Sequence, residues 1–250
     1  MRRSENSIRK MNENREQGGR EQHKTVTPRV IIQMLIVVVG MPFLPLLISW
    51  NWLWWEAWVY ASLCIVGFAA SRLIAGRRHP DLLSERARFL RHEDVLPWDR
   101  VLAPLLALGG GMLPLIAGLD ARFDWSPSFV LPVKLVSLAV ILAGYVLASY
   151  ALIENRYFSG MVRIQTDRGH QVVSSGPYRW MRHPGYSGAL FTYLATPIFL
   201  DAAMAFLPAA VLVVLLVIRT CLEDRTLHER LEGYRDYAKL VPHRLLPGIW

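Results

Sequence analysis

Charged residues are scarce in this sequence and are missing altogether from several long runs. They make up 19% of the chain, whereas hydrophobic residues make up 53%, a balance that is too apolar for an ordinary soluble domain. Cysteine is scarce as well, because only Cys64 and Cys221 occur, both in or beside apolar runs and without C-x-x-C spacing. A disulfide framework or a zinc ribbon is therefore not expected, and both thiols are interpreted as small hydrophobic side chains.

Several motifs of soluble enzymes and metalloproteins are also absent. No G-x-G-x-x-G follows a predicted strand, which argues against a soluble dinucleotide-binding or Rossmann-type methyltransferase fold. His228-Glu229 does not continue as H-E-x-x-H, and the histidines lack zinc-ligand spacing, so no metal site is predicted. The net charge of +8 falls in basic blocks between uncharged runs. This pattern is typical of the cytoplasmic loops of a membrane protein and does not indicate a nucleic-acid partner.

The long apolar runs, which are uncharged apart from Glu56, Arg72 and Lys134, predict an all-α, polytopic membrane protein with about six membrane segments, namely four spans and a C-terminal helical hairpin. A helix needs about 20 residues to cross a hydrocarbon core of about 30 Å. The four spans are predicted at Val30–Ile48, Trp52–Ile74, Val101–Leu119 and Phe129–Ile153. The hairpin is predicted at Ser187–Leu200 and Ala202–Ile218. Its first arm is short for a span, so a tight buried hairpin is the alternative.

The polar segments divide the chain into three regions. Residues 1–29 hold almost no large apolar side chain and are predicted to be a disordered cytoplasmic tail. Residues 30–153 hold the four spans, and the Arg-rich loop at 76–100 is predicted to form an amphipathic helix on the lipid headgroups. Residues 154–250 are the predicted catalytic region, for which the motifs given below are the grounds, and Val162–Ile164 and Gln171–Val173 predict a small hairpin or an ordered loop within it. Because the basic residues gather in the tail, the two long loops and the C-terminal segment, both termini are predicted to be cytoplasmic.

One stretch combines aromatic and basic residues at the edge of the bilayer. Residues 176–188 read G-P-Y-R-W-M-R-H-P-G-Y-S-G, in which the prolines favour a shaped turn that opens a helix. Arg182 and His183 stand beside an apolar run, where charge is costly unless it stays at the surface or serves a site. The alternative is a basic cluster that only sets the topology.

A second charged pair lies at the end of the last apolar run. Arg219 and Glu223 are four residues apart and therefore share one face of a helix. They are interpreted either as a mutual salt bridge worth a few tenths of a kcal/mol, or as two clamps for the carboxylate and ammonium groups of ligands.

These two motifs, with G-Y-R-D-Y-A-K-L-V-P-H-R-L-L-P at residues 233–247, resemble the isoprenylcysteine carboxyl methyltransferase family of integral-membrane enzymes. More distantly, they are similar to the phospholipid N-methyltransferases. The resemblance covers about residues 154–250 and implies S-adenosylmethionine as cofactor. Arg219 matches the family's ligand for the substrate carboxylate. The cofactor-binding positions implied by the resemblance are Gln165, His170, Gln171, Val172, Val173, Tyr178, Arg182, His183, Pro184, Gly185, Tyr186 and Glu223.

The expected activity is methyl transfer to the carboxylate of a lipophilic, isoprenylcysteine-like acceptor that enters from the membrane lipids. A carboxylate with a pKa of about 4 is already ionised at neutral pH and needs no general base. Methylation of a phospholipid or another lipid amine is the alternative within the same class. A transporter or scaffold is the alternative from another class, although the spans lack the midplane charges of transport pathways. The acceptor and the oligomeric state are not fixed by the sequence.

Overall fold

The computed structural model describes residues 35–87 and 94–250. Every regular element within these residues is helical, which confirms the all-α prediction. Residues from Val38 to Trp250 form one compact unit. The predicted N-terminal tail at 1–29 lies outside the described residues.

The described chain contains eight α-helices. A π-helical turn at Ile36–Gly40 and a 3₁₀ turn at Met41–Phe43 precede α1. The helices are α1 (Leu44–Ser49), α2 (Trp55–Arg78), α3 (Pro80–Ala87), α4 (Asp99–Phe123), α5 (Leu131–Glu154), α6 (Pro184–Phe199), α7 (Phe206–Arg230) and α8 (Tyr234–Leu240). Further 3₁₀ turns lie at Thr166–Arg168, Gly176–Arg179 and Ala203–Ala205.

Four helical segments are long and apolar enough to cross a membrane: Trp55–Arg78, Asp99–Phe123, Leu131–Glu154 and Ala203–Arg230. The chain is therefore an integral membrane protein. The predicted hairpin is present as α6 and α7, but α6 has only 16 residues, or roughly 24 Å. The first predicted span is a shorter apolar helix over its described part, Ile36–Ser49, which changes helical type near Pro42 and Pro45 because prolines lack the backbone donor. The count of six segments stays a prediction.

The described part of the segment at 76–100, for which an amphipathic helix on the lipid headgroups is predicted, contains a helix break. Helix α2 extends to Arg78, and His79 then leaves the helical conformation with φ −136° and ψ 82°. Pro80 explains this break, since proline disfavours the α conformation in the preceding residue. Helix α3 follows over eight residues, and α4 begins at Asp99. Residues 88–93 of the predicted element lie outside the described residues.

Helices α5 and α6 pack closely because two glycines meet at their crossing. A Cβ atom on Gly188 would lie 2.4 Å from the carbonyl oxygen of Gly144, and one on Gly144 would lie 2.6 Å from that of Gly188. Real Cβ atoms do not approach a backbone oxygen so closely, so this contact requires small residues, as is common between membrane helices. The close crossing fixes the start of α6 against the end of α5, where the polar loop begins.

The opposite ends of these helices are joined by a buried ionic cluster. Lys134 on α5 donates to Glu56 of α2 at 2.6 Å and also to Asp201, which follows α6. Asp201 in turn accepts the backbone N–H of Phe129 at 2.7 Å. This cluster anchors the helix ends far from the loop at 155–183 and takes no part in the site described below.

Candidate active site

Residues 155–183 form an ordered loop, the second of the two predicted alternatives. No strand occurs in the described part of this loop, and its turn is the 3₁₀ segment Thr166–Arg168, closed by Gly169 at φ 61°. Gln165, which is 1% exposed, closes the turn: its Nε2 donates to the carbonyl of Tyr157 at 2.7 Å, and its carbonyl accepts the N–H of His170 at 3.1 Å. The side-chain oxygen of Gln165 accepts from Arg168. The loop therefore holds its shape through its own polar groups.

Arg163 attaches this loop to α3 and to the segment before α4. Its Nε and Nη2 donate to Glu85 at 3.0 and 2.9 Å, and its Nη1 donates to Asp94 and Asp167, each at 2.8 Å. The side chain is only 2% exposed. A buried guanidinium is stable when its donors are matched by carboxylates, so the loop is fixed on this side.

The C-terminal tail folds back onto the start of α6. The backbone N–H groups of Arg182 and His183 donate to the carbonyls of His243 and Arg244, both at 2.9 Å. Ser187 Oγ, which is fully buried, donates to the carbonyl of Leu245 at 2.6 Å. These bonds place the tail against the R-H-P-G-Y stretch and close one side of the site.

Asp224 is the central acceptor beneath this stretch. Its carboxylate is 1% exposed and accepts from Arg182 Nε and Nη2 at 2.8 and 3.0 Å, from Tyr234 Oη at 2.9 Å and from Arg244 Nε at 2.9 Å. His183 Nε2 lies 3.2 Å from the same group. Arg182 also donates to the carbonyls of residues 241 and 242, each at 2.8 Å. The Arg182 guanidinium is thus committed to the protein itself.

Above this layer lies a cleft of about 1040 Å³, including its open mouth. Its walls are formed by the loop, the first turn of α6, the C-terminal part of α7 and helix α8. Of the predicted site residues, Gln165, His170, Gln171, Val172, Val173, Tyr178, Arg182, His183, Gly185, Tyr186, Arg219 and Glu223 line it. Pro184 does not line it; this buried residue is the first of α6, a position that suits proline because its missing N–H is not needed there.

Glu223 presents a carboxylate to the cleft that no described cation neutralises. It accepts a hydrogen bond from the hydroxyl of Tyr186, whose ring stacks on that of His183 at 5.7 Å and an interplanar angle of 6°. Arg219, the predicted salt-bridge partner, does not contact it. The carboxylate is partly exposed and keeps acceptor capacity for a cationic ligand.

Arg219 pairs instead with Asp99 at the start of α4. Its Nε and Nη2 donate to the two carboxylate oxygens at 2.7 and 2.9 Å, and Nη2 also donates to the carbonyl of Gly160 at 3.0 Å. Asp99 is fully buried and accepts the N–H of Val162 at 2.6 Å. Of the two interpretations of Arg219 and Glu223, the mutual salt bridge is therefore not the one that the structure contains. The guanidinium still faces the cleft, where it lies 5.4 Å from the centre of the Tyr186 ring.

His170 faces the cleft as a neutral ring. It stacks on Tyr157 with 4.5 Å between the ring centres. Burial, together with the nearby cations of Arg163 and Arg168, lowers the pKa of His170 to about 4. Its Nδ1 accepts the backbone N–H of Gln165 at 3.3 Å, so the proton of the neutral ring is assigned to Nε2, which is left to donate.

Tyr178 forms an apolar wall whose hydroxyl is already engaged. The hydroxyl accepts from Asn155 Nδ2 at 3.2 Å, and the residue is 7% exposed. Burial raises the pKa of Tyr178 well above its usual value, so the group stays neutral. Its backbone carbonyl accepts from Tyr237 Oη at 2.7 Å, which ties this wall to α8.

Sequence reasoning missed several residues of the site. They are Arg86, Asp99, Asn155, Tyr157, Phe158, Arg163, Asp224, Tyr234 and Tyr237, which line the cleft or hold its walls. The only local signal for Asp224 was its position beside Glu223. For most of the others, the contacts join residues far apart in the chain. Tyr234 and Tyr237 belong to the motif at residues 233–247, but no site role was predicted for them.

The chain is similar to a known protein family and to individual proteins. Residues 135–229, which run from α5 to the end of α7, match the model of the isoprenylcysteine carboxyl methyltransferase family. A probable protein-S-isoprenylcysteine O-methyltransferase of Oryza sativa subsp. indica is 25% identical over 146 residues, or 58% of this chain and 71% of that protein.

Two further relatives match shorter parts of the chain. Protein-S-isoprenylcysteine O-methyltransferase B of Arabidopsis thaliana is 34% identical over 77 residues, covering 30% of this chain and 39% of that protein. The Mus musculus protein-S-isoprenylcysteine O-methyltransferase is 32% identical over 92 residues, covering 34% and 31%.

Proposed function

Because the chain belongs to the isoprenylcysteine carboxyl methyltransferase family, we propose that it methylates the carboxylate of a lipophilic, isoprenylcysteine-like acceptor with S-adenosylmethionine as donor. The observation that carries this proposal is the cleft between the loop and α7, which offers the Glu223 carboxylate beside aromatic walls. Such a combination suits a ligand with a cationic amino-acid end and a flat aromatic base.

The residues of the cleft fit this cofactor. Glu223 is positioned to accept from its ammonium group, because Tyr186 occupies only part of the carboxylate. The neutral His170 ring offers an Nε2–H donor at the opposite loop wall. Tyr178 and Tyr237 supply apolar surface for the adenine ring.

When bound, S-adenosylmethionine supplies a methyl group attached to a positively charged sulfur. Transfer of this methyl group to an acceptor carboxylate oxygen would form a C–O bond as the C–S bond breaks, and would give a methyl ester and the neutral thioether without any proton transfer. No general base is needed, since a carboxylate with a pKa of about 4 is ionised at neutral pH. The protein's task is alignment and exclusion of water, and Arg219 is placed to orient the carboxylate from the membrane side.

We further propose that the cleft faces the cytoplasm, with both termini on that side, and that the acceptor's isoprenoid chain enters from the bilayer. Basic residues gather in the segments that build the cleft, in agreement with the positive-inside rule. A lipid-amine acceptor is less well suited, because a cation would approach the guanidinium groups of Arg219 and Arg86 that line the same cleft.

The proposal is tested by incubating the purified protein with methyl-labelled S-adenosylmethionine and N-acetyl-S-farnesylcysteine. A base-labile methyl ester on the cysteine carboxylate is the expected product, identified by mass spectrometry. Labelling of an amine in a parallel incubation with a phospholipid extract would support the alternative acceptor. A protein that binds no S-adenosylmethionine in calorimetry would refute both, as expected of a transporter or scaffold.

A further inference from the structure

Four arginine side chains of the described residues line the cleft, and three of them are paired with carboxylates. Arg163 pairs with Glu85, Asp94 and Asp167, Arg182 pairs with Asp224, and Arg219 pairs with Asp99. Arg86, on α3, is the fourth. Among the residues that the structure describes, no carboxylate pairs with it.

The contacts of Arg86 hold its guanidinium at the cleft without cancelling its charge. Its Nη1 donates to the carbonyl of Phe158 at 3.0 Å, and its guanidinium carbon lies 5.5 Å from the centre of the Phe158 ring. Arg219 donates to the carbonyl of Gly160, two residues further along the same loop. The two guanidinium groups therefore converge on one short stretch of the cleft wall.

The surroundings of Arg86 disfavour its positive charge. Burial, together with the nearby Arg72 and Arg219 guanidinium groups, lowers the pKa of Arg86 to about 9. An uncompensated charge in a cleft is a signature of ligand binding, because an ionic ligand supplies the missing counter-charge.

The charges of the two proposed ligands decide which of them Arg86 meets. S-adenosylmethionine carries a sulfonium, an ammonium and a carboxylate, so its net charge of +1 is matched by Glu223. The acceptor carries one carboxylate. Since Asp99 already cancels the charge of Arg219, Arg86 is the group that matches the acceptor.

We propose that Arg86 is a specificity-determining residue that binds the acceptor's carboxylate, with Arg219 orienting the same group through its remaining Nη1 donor. This inference rests on the proposed function and adds to it: an element outside the region matched by the family model, α3, supplies the counter-charge for the acceptor. Arg86 selects acceptors with a free carboxylate over neutral analogues of the same shape.

The test compares two ligands that differ only in charge. Binding of N-acetyl-S-farnesylcysteine and of its carboxamide is measured with S-adenosylhomocysteine present, so that neither reacts. Wild type should bind the carboxylate at least ~10-fold more tightly, the lower range for a charge-assisted hydrogen bond. In Arg86→Gln the preference for the carboxylate over the carboxamide should fall below about 3-fold, whereas Arg86→Lys should keep a preference between those of wild type and Arg86→Gln. S-adenosylmethionine affinity should stay within about 2-fold in both variants.

The matched control is Arg77→Gln, which removes an exposed positive charge from the same basic segment but away from the cleft. It should behave as wild type. Because Arg86 has no ion pair among the described residues, Arg86→Gln should unfold at the wild-type temperature. If it fails to fold, Arg86→Met, which keeps the apolar stem beside Phe158, takes its place in the comparison.

Three results would overturn the inference. An unchanged carboxylate preference in Arg86→Gln would remove Arg86 from the acceptor site while leaving the proposed function intact. Loss of S-adenosylmethionine affinity with an unchanged preference would assign Arg86 to the cofactor. A wild-type protein that binds S-adenosylmethionine but neither binds nor methylates the farnesylcysteine would refute the proposed acceptor, and the inference with it.

Discussion

Glu223 and Asp224 are neighbouring carboxylates with opposite predicted roles, and replacing each by its amide separates them. Glu223 faces the cleft and contacts only Tyr186 among described side chains, whereas Asp224 is 1% exposed and accepts from Arg182, Tyr234 and Arg244. We expect Glu223→Gln to weaken ligand binding and to leave the fold intact. We expect Asp224→Asn to weaken the fold.

The magnitudes follow from what each carboxylate does. Breaking a buried ion pair by removing one partner costs about 3–5 kcal/mol, because the other charge is left uncompensated, and Arg182 is 6% exposed. For a chain of this size that corresponds to an unfolding temperature lower by roughly 6–20 °C. Removing the charge-assisted contact of Glu223 with an ammonium costs about 1.5–3 kcal/mol, or a 10- to 150-fold rise in the S-adenosylmethionine dissociation constant.

Both quantities are measured on the same detergent-solubilised preparations, with calorimetry for cofactor binding and thermal unfolding for stability. The two variants serve as controls for each other, since each removes one negative charge from adjacent positions. The reasoning is refuted if Glu223→Gln binds the cofactor normally, or if Asp224→Asn unfolds at the wild-type temperature.

Four further predictions concern the acceptor, the packing, the pH dependence and the topology. Arg219→Lys should keep S-adenosylmethionine affinity within about threefold but lower turnover on a carboxylate acceptor at least ~100-fold, because lysine cannot reproduce the guanidinium fork; equal losses of binding and turnover would contradict this. Gly188→Ala should lower the unfolding temperature, since its Cβ would meet a backbone oxygen at 2.4 Å, whereas Gly110→Ala, with nothing within 4 Å, should not. The pKa of His170 is about 4 in the folded protein and about 6.5 in the unfolded chain. Between these pH values the unfolded state binds more protons, so the stability of the fold falls as the pH drops through this window. His170→Gln should flatten this pH dependence of the unfolding temperature, and an unchanged slope would argue against a neutral ring. Reporter fusions after Gly169 and Trp250 should be cytoplasmic and one after Asp201 external, whereas an external fusion after Gly169 would contradict the proposed orientation.

The membrane helices were predictable because a span is a property of composition over about 20 residues. The runs that became α2, α4, α5 and α7 are predominantly apolar in the sequence, and their ends coincide with polar or basic residues such as Arg78 and Glu154. The helix break inside the segment at 76–100 was not predicted, because the interpretation of this segment rested on its arginines and on the spacing of its apolar residues. Pro80 ends helix α2 because it disfavours the α conformation of His79. This effect involves only two residues, so the overall pattern of the segment does not reveal it.

The site was predictable where its residues are close in sequence. His183 and Tyr186, which stack on each other, both belong to the motif at residues 176–188, from which both were predicted as site residues. The pairing of Arg219 with Asp99 could not be predicted, since the two are 120 residues apart. Helical periodicity states which face a side chain occupies, but not which other helix covers that face. Arg219 and Glu223 therefore share a face as predicted, while each contacts a different partner.

The distribution of charge at the cleft separates residues that hold its walls from residues that meet its ligands. Buried ion pairs contribute little net stability, yet removing one partner is costly, so Arg163, Arg182 and Arg219 fix the loop, the tail and α4 in one arrangement. Such rigidity is what a one-step methyl transfer requires, because the reacting atoms must stay aligned at about 3–3.5 Å. The charges left over within the described residues, Glu223 and Arg86, have opposite signs. A cationic cofactor and an anionic acceptor together neutralise both, so each ligand is better accommodated when the other is present, and binding of the pair is expected to be favoured over binding of either one alone.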